Sequence, residues 1–290
     1  MKIKLTSGER IFEAILYIFM TIILVATIYP FWYLLSLSFT SSLVPSTEIH
    51  LIPPVFDIMP YKKVLSDPLM FRAMGNTVVR TLFGTFLTVI VTVLLAYPLS
   101  KKGLPHKKFW TAFIVFTMYF EGGLIPTYLQ VKGLGLGDTI WALTLPILIN
   151  SFNMLIVRNF FSALPDSLEE SAKIDGANDY LILFRIILPV SMPIIATLIL
   201  WTAVGHWNAW FDSLIYITTD SKQVMQNIMR RIVMDGAGSS IAGTDDMSNL
   251  VNPENLKAAT IMVTTLPIII VYPFLQKYFV KGVMVGSLKG

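Results

Sequence analysis

The chain has 290 residues, of which 54% are hydrophobic and only 14% charged, with a formal net charge of +4. A soluble protein carries roughly 25% charged residues, so the composition excludes an ordinary water-soluble domain and indicates an integral membrane protein. Cysteine is absent, which excludes disulfide frameworks and cysteine-based metal or redox chemistry. No basic stripe with interleaved aromatics is present, so nucleic acid is not an expected partner.

Taken in chain order, six segments approach the roughly 20 apolar residues that a helix needs to cross a bilayer. They lie near 12–38, 77–99, 109–131, 139–161, 185–206 and 258–280. Lys2, Lys4 and Arg10 could head a signal peptide, but residues 14–47 then run uncharged, beyond the roughly 7–15 residues of a signal h-region. A retained first span is predicted. Glu121, Gly122, Gly123 and Pro126 interrupt the third segment. Basic residues cluster around Lys101, Lys102, Lys107 and Lys108, around Arg158, Lys173 and Arg185, and at Lys277, Lys281 and Lys289. Six threaded spans put all of these on the side of the N-terminal Lys2, Lys4 and Arg10. By the positive-inside rule both termini are then cytoplasmic.

Two loops fall on the opposite side. Residues 40–76 hold Pro45, Pro53, Pro54, Pro60 and Pro68, with a short helix predicted from Tyr61 to Leu65. Residues 207–257 form a longer extracytoplasmic loop, in which Val224, Met225, Ile228, Met229, Ile232 and Val233 recur at helical spacing. That stripe predicts packing against the chain's own membrane domain or the interface, with contact to another protein as the alternative. Gly236, Gly238 and Gly243 mark a flexible tip. No internal repeat is evident, which argues against a secondary carrier built from inverted halves.

The stretch from Leu164 to Pro189 is a polar interruption on the cytoplasmic side. Pro165 and Asp166 end the preceding apolar run, and Ser167 precedes Glu170 at capping-box spacing. Gly176 supplies the left-handed residue that closes a short helix. Asn178 or Asp179 can cap a second helix running through Phe184 and Ile187. A capped helix pair at a membrane surface is a docking element, although Glu170 could serve only as a capping acid.

Other candidate chemistry is sparse. Residues 238–244 have the glycine spacing of a phosphate-binding loop but lack its lysine, and they follow no strand. The chain is therefore not expected to bind ATP itself. His50, His106 and His206 have no partners at metal-ligand spacing, so no metal site is predicted. His206-Trp207-Asn208-Ala209-Trp210 reads as an aromatic interface belt. Glu121 would face a cavity, or lie hydrated where Gly122 and Gly123 end a helix early. Asn150, Asn153 and Ser191 are polar span positions, suited to interhelical hydrogen bonds or a pore lining. Nothing resembles a catalytic triad or an acid–base pair, so an enzyme reading has no positive support.

The spacing of Glu170, Ser171, Ala172, Asp175, Gly176 and Ala177, followed by Ile186, Leu188 and Pro189, resembles the EAA loop of binding-protein-dependent ABC importer permeases. Ser171 departs at the second position, small for small. Asn76-Thr77, Ala96-Tyr97-Pro98-Leu99-Ser100 and the stretch Gln276 to Gly290 are similar to the carbohydrate-uptake permeases, near the second permease subunit of the maltose importers. Gly122 to Tyr128 and Arg158-Asn159-Phe160-Phe161 look like the LplC-type oligosaccharide branch.

The resemblance implies an all-α polytopic membrane protein with the six-helix MetI-like fold, in the bacterial plasma membrane. It implies a heterodimer with a second permease, two copies of an ATPase that carry ATP and magnesium, an extracytoplasmic solute-binding protein and a sugar substrate. The helix around Glu170 to Asp175 would dock in the ATPase, with Leu168, Ala172 and Ile174 as apolar docking surface. The tail with Gly286, Lys289 and Gly290 would reach toward the ATPase, and the tip with Gly236, Gly238 and Gly243 toward the binding protein. A permease for a non-sugar solute, or an ion-coupled carrier dependent on Glu121, is the alternative.

Overall fold

The computed structural model describes residues 6–45, 48–234 and 252–287. The helices are α1 (Ser7–Ser38), α2 (Met59–Ser66), α3 (Pro68–Ser100), α4 (Lys107–Tyr119), α5 (Leu124–Gly133), α6 (Ser151–Ser162) and α7 (Ser167–Ile174). They continue as α8 (Asp179–Val190), α9 (Met192–Asn208), α10 (Phe211–Tyr216), α11 (Met225–Met234) and α12 (Pro253–Ser287). No β-strand occurs among the described residues; Thr40 and Phe56 form one isolated bridge.

Among the described residues, three helices are long and apolar enough to cross a membrane unbroken: α1, α3 and the Pro253–Val271 part of α12. Three further crossings would each be a bent pair. Helices α4 and α5 meet at 109°, the turns Ile140–Ile147 meet α6 at 57°, and α8 meets α9 at 85°. Each bend has a local cause. Between α4 and α5, Gly123 takes φ +85°, a region L-residues avoid. Helix α6 restarts at Asn150, whose side chain accepts from the Asn153 N–H at 2.9 Å. Between α8 and α9, Leu183–Ile187 are wound as a π-helix, and Pro189 and Pro193 flank the buried Ser191. Proline and π-turns are the usual sources of helix breaks.

The chain divides into two units, Met1–Pro68 with Met229–Thr265, and Leu69–Ile228 with Leu266–Gly290. In the first, the apolar window of α1 is entirely exposed, a surface tenable in lipid but not in water. Beyond α1 the ring of Phe39 stacks on Phe56 at 5.2 Å and on Tyr61 at 4.7 Å. Ser38 and Tyr61 share a hydrogen bond of 2.8 Å, and the Asn255 side chain donates to the Thr40 carbonyl at 2.6 Å. The predicted helix at Tyr61 is α2, begun by Pro60 in its first turn, where proline's missing N–H is harmless.

The second unit is organised on α3. Its buried stripe includes Ala73, Thr77, Arg80, Gly84, Thr88, Thr92 and Ala96, mostly small side chains at helical spacing, which let membrane helices approach closely. The approach is tightest at Gly84, where a Cβ would lie 2.5 Å from the His206 ring. At the far end of α3, Val93, Ala96, Tyr97 and Leu99 join Met154, Val157 and Phe161 of α6, Ile182 and Ile187 of α8, and Leu198 of α9 in one core. Buried His206 and Trp207 correct the reading of residues 206–210 as an interface belt. The alternation of apolar and polar residues there reflects packing inside the unit. Of the apolar stripe from Val224 to Val233, Val224, Met225 and Ile228 are buried within this unit.

Candidate functional site

Helix α7 is a projection held at two places. Its C-terminal end is a complete Schellman closure: the Gly176 N–H donates to the Lys173 carbonyl at 3.0 Å and the Ala177 N–H to the Ala172 carbonyl at 2.9 Å. The closure needs a left-handed residue, and Gly176 supplies it at φ +79°. A side chain there would cost about 1–2 kcal/mol. Asn178 then starts α8, accepting from the Leu181 N–H at 2.8 Å, so of the two caps the sequence allowed, Asn178 is used.

The N-terminal end differs from expectation. Ser167 is the first helical residue rather than the cap, and its carbonyl accepts from the Ser171 hydroxyl at 2.9 Å. The cap position is Asp166, without a side-chain cap bond, because its carboxylate is turned to Lys102 at 2.5 Å. The capping box between Ser167 and Glu170 therefore does not form. Glu170 is exposed, with no side-chain hydrogen bond among the described residues. Ala172 also departs from the docking face assigned to it: it is buried, 7% exposed, within the apolar core. It seats the helix, and its small size lets α7 lie close. Asp175 and Ile174 face outward, Ile174 at 87% exposure, and Leu168 is half-buried.

The second attachment is electrostatic. Lys101, the first residue past α3, forms an ion pair with Glu169 in the first turn of α7. The Lys101 ammonium also lies 3.8 Å from the centre of the Tyr97 ring. Burial, then the like charge of Lys173, pulls the Lys101 pKa down to about 8, with Asp179 and Asp166 acting in the opposite direction. Lys107 donates to the carbonyls of Ser100 at 3.1 Å and Lys101 at 2.9 Å, satisfying the orphan acceptors at the end of α3. An open concavity of about 880 Å³ lies beside these groups, lined among others by Tyr97, Lys101, Glu169, Glu170 and Tyr180.

The remaining predicted residues are dispersed. Glu121 is exposed in the break after α4, which ends at Tyr119. Asn150 is exposed and Asn153 half-buried at the start of α6. Gly286 falls in the last turn of α12. Lys289 and Gly290, and the tip with Gly236, Gly238 and Gly243, lie outside the described residues. Among the described residues no cluster of three His, Asp or Glu side chains is placed to hold a metal.

One site escaped the sequence reading. Arg80, 1% exposed in the middle of α3, forms an ion pair with Asp212 of α10. It also donates to the carbonyls of Ala209 at 3.0 Å and Leu143 at 3.4 Å. A turn earlier, the Asn76 side chain donates to the carbonyls of Ser221 at 2.9 Å and Gln223 at 3.0 Å, and the Thr77 hydroxyl accepts from the Met225 N–H at 2.8 Å. Together these pin residues 209–225 to α3. A cation within an apolar run was the available signal, since such residues rarely occur without a partner.

The chain is a member of the binding-protein-dependent transport system inner membrane component family, whose pattern matches residues 6–285. It is 42% identical over 287 residues to Protein LplC of Bacillus subtilis, covering 98% of this chain and 97% of that one. It is 40% identical over 284 residues to the polygalacturonan/rhamnogalacturonan transport system permease protein YtcP of the same organism, covering 97% and 99%. Its fold superposes, with a TM-score of 0.88 and 30% identity over 96% of this chain and 100% of the other, on a chain from a bacterial ABC transporter involved in the import of the acidic polysaccharide alginate.

Proposed function

We propose that this chain is one permease subunit of an ATP-driven, binding-protein-dependent importer of oligosaccharides. The observation that carries the reading is similarity over nearly the whole chain to a polygalacturonan/rhamnogalacturonan permease and to a chain of an alginate importer. Alginate is an acidic polysaccharide and the galacturonans also carry carboxylates, so acidic oligosaccharides are the first to test. In this reading the three straight spans and the three bent pairs make six crossings of the bacterial plasma membrane, with both termini cytoplasmic. A related permease completes a heterodimer, two ATPase subunits supply hydrolysis with ATP and magnesium, and a binding protein delivers sugar at the outer face.

Helix α7 is then the coupling element. Glu170, Ser171, Ile174 and Asp175 face the ATPase, while Ala172, Gly176 and Ala177 set the helix on its seat. The tail from Gly286 to Gly290 would approach the ATPase, and the 207–257 loop the binding protein. Glu121, Asn150 and Asn153 are offered as lining positions of the pathway. ATP and loaded binding protein would bias a two-state equilibrium of the assembly. Uptake of labelled oligogalacturonides, alginate fragments, neutral malto-oligosaccharides and a peptide by vesicles holding the whole assembly tests the substrate class. Import of sugars alone is expected; import of the peptide in preference to every sugar would overturn the carbohydrate reading.

A further inference from the structure

Helix α7 has eight residues, and Ala172 is its one buried side chain. A helix seated at a single small residue can pivot about it. A second hold on the helix is the ion pair between Glu169, one turn before Ala172, and Lys101. Both partners are sheltered, with side-chain exposures of 26% for Lys101 and 19% for Glu169. The pair of Lys102 with Asp166 beside it is open to water at 83% and 65%, and so contributes little. Lys101 is not a loose surface lysine either. Its ammonium rests over the ring of Tyr97, a favourable cation–π placement. That ring is buried in α3 and packs edge-on against Phe161 of α6 at 6.4 Å. Behind Lys101, the Lys107 ammonium and the Ser162 hydroxyl hold the Ser100 carbonyl at 3.1 and 3.3 Å.

We infer that the contact between Lys101 and Glu169 is a strut that makes α7 and the end of α3 move as one body, so that a force applied to α7 enters the second span directly. Without it, the force reaches the membrane helices only through the seat under Ala172 and the chain leading into α8, and part of it is lost in pivoting. Lys101 and Glu169 are positioning residues in this scheme. They touch neither sugar nor nucleotide. The inference rests on α7 being the coupling element.

The test uses the complete assembly in vesicles, reading co-purification of the ATPase, ATP hydrolysis and sugar imported per ATP. Lys101→Glu and Glu169→Lys are each expected to lower import per ATP by about fivefold or more, as residues in direct contact do when one is changed. The assembly should remain intact. Combining them re-forms the pair in reverse and is expected to restore import per ATP to within about twofold. Reversals that import like wild type, or a combined variant as poor as either alone, would overturn the strut. Should the reversals fail to assemble, Lys101→Cys with Glu169→Cys, bridged by a short bismaleimide, decides it, since the chain has no other cysteine. A strut tolerates the bridge and import continues; a contact that must open during transport is blocked by it, which would refute the inference. Wild-type vesicles lacking the ATPase separate the two levels. Import there would undo the coupling reading itself, whereas ATP-dependent wild-type import with indifferent reversals would undo only the strut.

Discussion

At the scale of single residues, Gly176 and Lys101 show how the same loop combines backbone and charge constraints. Gly176 is required by its φ of +79° and by the two hydrogen bonds that close α7. No atom crowds the place of its missing Cβ, so a larger residue there strains the backbone without clashing. Gly176→Leu is therefore expected to leave membrane insertion intact, to cost about 1–2 kcal/mol locally and to lose ATPase co-purification. Wild-type co-purification and import by that variant would count against α7 as the docking helix. Lys101 gives a pH prediction. Burial holds its pKa down to about 8, so its ammonium is charged at neutral pH and loses its proton as pH rises through that value, dissolving the pair with Glu169. Import per ATP should fall across this range in the wild type and stay flatter in Lys101→Arg, since a guanidinium keeps its charge. Parallel pH profiles for the two proteins would contradict this.

At the scale of elements, what the sequence made legible was what local rules determine. The glycine closure of α7, the Asn178 cap, the helix at Tyr61 and the early end of α4 before Gly122 follow from one or two residues each. What it hid depends on partners distant in sequence. The capping box at Ser167 does not form because the helix has already begun there, with Asp166 as its cap position, and Ala172 turns inward because α3 and α8 build a core beneath it. His206 packs on Gly84, more than a hundred positions earlier, a contact that local spacing does not encode. The ion pair of Arg80 with Asp212 is of the same kind: the arginine was visible in the span, but its partner on α10 was not. Arg80→Ala would leave the half-buried Asp212 carboxylate without its cation, a loss below the roughly 3–5 kcal/mol of a fully buried pair. Much less folded subunit should be recovered from membranes. Removing both charges, Arg80→Met with Asp212→Leu, should recover much of that yield. Full recovery of Arg80→Ala at wild-type level would show that the pair does not hold residues 209–225 to α3.

At the scale of the whole molecule, composition already required a membrane, and hydropathy placed the spans near their positions. Hydropathy could not show that three of those apolar segments are bent helix pairs. An apolar window reports length and not direction, while the bends come from glycine, proline and a π-turn inside it. The breaks at Gly123 and Ser191 give the chain irregular backbone within its apolar segments. A transport subunit can use such backbone where it is shielded by protein or lines a pathway. The central claim is that this chain moves solute only when a separate ATPase drives it through α7. The measurement that tests it most directly is uptake of a labelled oligosaccharide into vesicles containing this chain, its partner permease and the binding protein, with and without the ATPase subunits and ATP. Uptake confined to vesicles that hold the ATPase and are supplied with ATP is the predicted result, and uptake that persists when the ATPase is left out would contradict it.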